Sequence, residues 1–162
     1  LGSEVARLLE AVDFAARKHK EQRRMDPEGT PYINHPIGAE PPAPRPLSRD
    51  TDTTLAELER RFGAAVRGVV QEVTDDKSLP KAERKRLQIE RAAGCSRRAK
   101  LVKLADKLHN LRDLNRCTPR GWTEERVQEY FRWAARVVSG LRGTSPALEG
   151  ALQRLFEERG VA

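Results

Sequence analysis

Apolar residues recur along this chain in steps of three and four, the spacing that places them on one face of an α-helix. Val5, Leu8, Leu9, Val12, Ala15 and Ala16 form the first such stripe. They predict a helix over residues 3–19, with Ser3 as its N-cap. Asp26-Pro27-Glu28-Gly29-Thr30-Pro31 follows as a loop. Pro36 can open a second helix. Prolines at 41, 42, 44 and 46 then push the residues before them out of the α region. Residues 38–50 are therefore expected to be an irregular, polyproline-like segment.

The helical pattern resumes at Thr54-Leu55-Ala56-Glu57, a capping box. Leu55, Leu58 and Phe62 form its stripe. Beyond Gly63, Ala65, Val66, Val69, Val70 and Val73 predict a separate or bent helix. Asp75-Asp76-Lys77-Ser78 reads as a turn. Pro80 starts a short, very basic helix through Ala92, with Leu87 as its main apolar contact. Residues 98–114 carry the strongest stripe, Leu101, Leu104, Ala105, Leu108 and Leu111. Thr123 caps a long helix bearing Val127, Phe131, Ala134, Val138 and Leu141 inward. Ser145-Pro146 starts a last helix, with Leu148, Leu152, Leu155 and Phe156 inward. No segment alternates like a strand, so the expected class is all-α, a single helical domain over residues 1–162.

Composition narrows the possibilities. The chain has 162 residues, 38% hydrophobic and 34% charged, with few aromatics. Its core must therefore be built mainly of Leu, Val and Ala. The net charge of +7 favours an anionic partner: a nucleic acid, a phospholipid or a polyphosphorylated small molecule. Neither zinc-finger spacing nor an aromatic-and-basic RNA motif is present, so a nucleic-acid partner rests on charge alone and is disfavoured. Cys95 and Cys117 form no CxxC or paired framework, which suits a reducing compartment. No apolar run reaches a membrane span, and no secretion signal is evident. A cytoplasmic or nuclear location is the expectation.

Two segments carry candidate chemistry. Asp106 and Asn110 lie four apart, one above the other on a helix face. A carboxylate there can ligate a metal, and an amide one turn on can hold a substrate oxygen. The plainer reading is a boundary aspartate pairing with Lys103 or Lys107. His35 sits in Thr30-Pro31-Tyr32-Ile33-Asn34-His35-Pro36-Ile37-Gly38, where a loop histidine could equally cap or pack.

Together, this histidine segment and the string from Lys100 to Leu114 resemble the HD-domain metal phosphohydrolases, most closely the small stand-alone metazoan SpoT-like type. The resemblance covers nearly the whole chain except about residues 39–49. It implies an HD-like helical bundle and a Mn²⁺-dependent enzyme that removes the 3′-pyrophosphate of ppGpp. The metazoan type also removes the 2′-phosphate of NADPH. It implies His35 and Asp106 as metal ligands, and Arg24 and Asn110 as substrate contacts. Asp50, in Asp50-Thr51-Asp52, matches the second of two acids that help position the attacking water.

The chain departs from that pattern where the family's His-Asp pair supplies two further ligands. It has no His-Asp dipeptide and reads Ala39-Glu40-Pro41-Pro42-Ala43-Pro44-Arg45-Pro46-Leu47-Ser48-Arg49 instead. Arg49 stands where the first of the two acids would be, and Met25 where a lysine is typical. A misjudged exon boundary or an alternative splice would leave such a segment. The resemblance then implies an impaired hydrolase with weak Mn²⁺ binding. The alternative is a non-catalytic protein that binds a phosphorylated nucleotide, ppGpp or NADPH.

Overall fold

A computed structural model describes residues 13–14, 17–18, 20–21 and 53–161. The fold is all-α: six helices and no strand among the described residues. They are α1 (Leu55–Phe62), α2 (Ala64–Val73), α3 (Lys81–Ala92), α4 (Arg97–Arg116), α5 (Glu124–Ser139) and α6 (Pro146–Glu158). Asp13, Phe14, Arg17 and Lys18 are also helical, as the first stripe predicts. The irregular segment expected at 38–50 lies outside the described residues. No helix among the described residues is long and apolar enough to cross a membrane.

The helix starts follow the sequence signals. The Thr54 hydroxyl accepts from the Glu57 amide at 3.1 Å, giving α1 its cap. Gly63 has φ +83°, a conformation that side chains resist, and this breaks the α1–α2 run into two helices. The Ser78 amide donates to the Asp76 carboxylate at 3.0 Å, closing the expected turn. Ser96, Thr123 and Ser145 cap α4, α5 and α6 through their hydroxyls. Pro146 occupies the first turn of α6, where its missing N–H costs nothing.

Packing is uneven along the chain. Among the described residues, every buried side chain lies at Ala92 or beyond it. The core is Leu104, Leu108, Leu111 and Leu114 of α4, Val127, Phe131, Ala134 and Val137 of α5, and Leu152, Leu155 and Phe156 of α6. Neither α1 nor α2 buries a residue. The α2 stripe expected to face inward leaves Val66 42% exposed. α2 is held on α4 partly by a polar tie: the Ser96 amide donates to Glu72 at 2.7 Å, which holds that carboxyl below its usual value.

Four expected positions are corrected. Ala105 is exposed and Leu101 half-buried, while Leu114 is fully inward. The buried face of α4 is rotated away from the pure apolar stripe because it also takes in Lys107 and Asn110. In α3, Ala92 is the buried residue and Ile89 packs on the core, with Leu87 half-buried. Leu148 packs at the edge of the core rather than within it.

Candidate active site

The middle of α4 brings a charged group to the core boundary. The Lys107 ammonium lies against Asp106 Oδ2. Asn110 Nδ2 donates to Asp106 Oδ1 at 3.3 Å. Both carboxylate oxygens of Asp106 are thus engaged from its own helix. The plainer reading of Asp106, a partner for a neighbouring lysine, holds with Lys107 as that lysine. Asn110 is 2% exposed rather than at the solvent edge, and its Oδ1 is buried without a hydrogen-bond partner.

Lys107 is a long cation in a core position, a costly placement unless the charge is matched. Burial is the largest influence on its ammonium and pulls its pKa down. Asp106 beside it, with Tyr130 and Asp75, more than offsets that, and the net shift is upward. The charged form is therefore kept.

α3 and α5 meet beside this middle part of α4. Lys107 Nζ lies 4.8 Å from the Trp133 ring centroid, and Lys85 Nζ 4.9 Å from the same ring. Tyr130 packs on Trp133 at 5.2 Å, and Trp122 meets the Tyr130 ring edge-on at 6.2 Å. Arg126 covers Trp122 at 4.1 Å. The Trp133 indole N–H donates to the Lys85 carbonyl at 3.1 Å, fixing α5 on α3. The result is a wall of alternating cations and aromatic faces beside Asp106 and Asn110. Sequence reasoning missed this wall. Its signal is the step of four from Arg126 to Tyr130, which puts both on one face of the capped helix, with Trp122 just before the cap.

Of the residues expected at the site, Asp106 and Asn110 are brought together. Arg24, His35 and Asp50 lie outside the described residues. His109, beside Asp106 in sequence, turns to Asp113, with Nε2 3.6 Å from its carboxylate. Among the described residues, no three His, Cys, Asp or Glu side chains gather as a metal-holding group.

No protein-family model matches the chain. Individual proteins do. It is 62% identical to the human guanosine-3′,5′-bis(diphosphate) 3′-pyrophosphohydrolase MESH1 over 177 aligned positions, covering 99% of each chain. The chain belongs to the MESH1 family. The Drosophila melanogaster MESH1 protein is 49% identical, with 96% of each chain covered. A solved structure described as a metazoan ortholog of SpoT that hydrolyzes ppGpp superimposes with a TM-score of 0.88. It is 48% identical and covers 97% of each chain. The HD-domain resemblance read from the two motifs is thereby met. The 177 positions aligned with human MESH1 exceed the 162 residues present here, so at least 15 MESH1 positions have no counterpart in this chain.

Proposed function

We propose that this chain binds guanosine 3′,5′-bis(diphosphate), the compound named for its MESH1 relatives, and removes the 3′-pyrophosphate far more slowly than they do. The observation that carries the reading is the state of Asp106. Its two oxygens are taken by Lys107 and Asn110, in a chain that lacks the His-Asp dipeptide. A hard divalent ion takes about six ligands, several of them protein oxygens or imidazole nitrogens. His35 and Asp106 are two of the four ligand positions in the HD pattern. The residues present do not fit a Mn²⁺ centre, and we infer weak Mn²⁺ binding.

Ligand binding has more support. Lys85 and Arg126 supply charge for phosphate oxygens, and charge-assisted hydrogen bonds to phosphate are the strong kind. Trp122, Tyr130 and Trp133 supply aromatic surface for a purine, a contact worth about 1–3 kcal/mol per base in nucleic-acid complexes. We propose NADPH, with its 2′-phosphate, as a second ligand of the same surface. A cytoplasmic or nuclear location accords with two free cysteines.

The test compares this chain with one in which the missing MESH1 segment is restored. Pyrophosphate release from ppGpp, phosphate release from NADPH and bound Mn²⁺ are measured in both. The chain as written is expected to hold little Mn²⁺ and to turn over at least about 100-fold more slowly. Equal turnover with tight Mn²⁺ binding would overturn the reading.

A further inference from the structure

We propose that Lys85 is a specificity-determining residue: its ammonium recognises the second diphosphate group, so the site prefers a guanosine nucleotide with diphosphates on both the 3′ and 5′ oxygens over one with a single diphosphate. This rests on the nucleotide-binding reading above.

The two lysines on Trp133 differ in one respect. Lys107 is matched by Asp106. Among the described residues, the Lys85 ammonium meets the faces of Trp133 and Tyr130, at 4.9 and 5.8 Å, and no carboxylate at ion-pair distance. Glu129 attracts it from farther off, while Lys81, Arg126 and Lys107 repel it. Half-burial, the largest influence, and these like charges push its pKa down. The rings attract this cation without neutralising it, and a phosphate group can do so.

The geometry suits a ligand with two separated anionic groups. Both ammonium groups lie within 5 Å of one ring centroid, so they are at most about 10 Å apart, close to the ~8 Å screening length at physiological salt. Lys107 touches Asp106, so a nucleotide whose reacting diphosphate lies at Asp106 leaves its other diphosphate within the field of Lys85. Rigidity helps, because the Lys85 carbonyl is fixed by the Trp133 indole. A purely structural cation–π role predicts something different: a lower melting temperature and equal losses for every ligand.

Isothermal titration in EDTA tests this with the full chain, its Lys85→Met and Lys85→Arg variants, and two probes, guanosine 3′,5′-bis(diphosphate) and GDP. The unsubstituted chain should prefer the bis(diphosphate), and added salt should shrink the preference. Lys85→Met keeps an apolar stem against the rings and should weaken the bis(diphosphate) about tenfold, with GDP changed less than about twofold. Lys85→Arg should keep the preference. Equal weakening of both probes, or no weakening, in a Met variant with an unchanged melting temperature would overturn the role. So would loss of the preference in the Arg variant, which also decides the matter if the Met variant fails to fold. An unsubstituted chain that binds both probes equally well refutes the Lys85 role alone. One that binds neither refutes the nucleotide reading with it.

Discussion

The ammonium of Lys107 lies against the carboxylate of Asp106, its neighbour in sequence, with the lysine side chain 7% exposed and the aspartate 27%. Removing one partner of such a pair leaves the other uncompensated, which costs about 3–5 kcal/mol when both are fully buried. Asp106 keeps some water, so Asp106→Asn should destabilise the fold by a smaller amount, about 2 kcal/mol. Lys107→Met should cost less, because its stem still packs. The double variant should recover part of the sum, with a coupling of at least about 0.5 kcal/mol. Urea unfolding of the three variants checks this, and strict additivity would show the charges to be uncoupled. In this chain Asp106 is then a structural residue as well as a candidate ligand.

How much of this was legible in the sequence depends on the kind of signal. Caps, turns and helix starts were read correctly at Thr54, Gly63, Ser78, Thr123 and Ser145, because each is a local choice made by one or two residues. The site helix was legible through its resemblance, and Asp106 and Asn110 lie together as expected. Periodicity failed where polar residues enter the core: it put Ala105 inside and left Lys107 out, since the count of apolar residues cannot register an ammonium matched by its neighbour. The cation–aromatic wall was illegible for another reason. Lys85 and Trp133 meet only after α3 and α5 pack.

Gly140 follows α5 where the chain crosses the end of α3. A methyl group built on it would stand 2.7 Å from the Ala92 side chain and 3.2 Å from the Ala93 backbone nitrogen. Its own φ of −76° suits any residue, so closeness rather than conformation demands glycine here. Gly140→Ala should destabilise the fold by about 1–3 kcal/mol, the usual cost of overpacking. Adding Ala92→Gly should relieve the 2.7 Å clash but not the backbone contact, giving partial rescue. Thermal melts of the single and double variants test both statements.

Glu149 closes the turn before α6. Its carboxylate accepts from the amides of Gly143, Thr144 and Ser145 at 3.1, 2.8 and 2.8 Å. The Ser145 amide is the largest cause holding its pKa below the usual value. A folded-state value below the unfolded one stabilises the protein above the unfolded pKa, and that stability is lost as pH falls through the lower, folded value. Glu149→Ala should therefore cost about 1 kcal/mol at pH 7, the size of a helix cap. The gap between variant and parent should close on acidification below pH ~4. Chemical denaturation at several pH values measures it, and a gap that widens in acid would contradict the assignment.

The last expectation concerns α1 and α2, which bury none of their residues although α2 carries Val66, Val69, Val70 and Val73. Burial is worth about 25 cal/mol per Å² of apolar surface, so this layer contributes little to the fold. Hydrogen exchange should show the α1 and α2 amides opening well below the global unfolding energy, while α4, α5 and α6 exchange only near it. Val69→Ala should cost under about 1 kcal/mol, against about 2–5 kcal/mol for Leu104→Ala or Leu111→Ala in the core. Restoring the missing MESH1 segment gives the sharper comparison. At least 15 positions are absent here, which as one segment would make a helix of about 22 Å at 1.5 Å per residue. If that segment packs against the valines of α2, the restored chain should slow exchange in α1 and α2 selectively and make Val69→Ala costlier. Unchanged exchange in a well-folded restored chain would mean that the segment packs elsewhere.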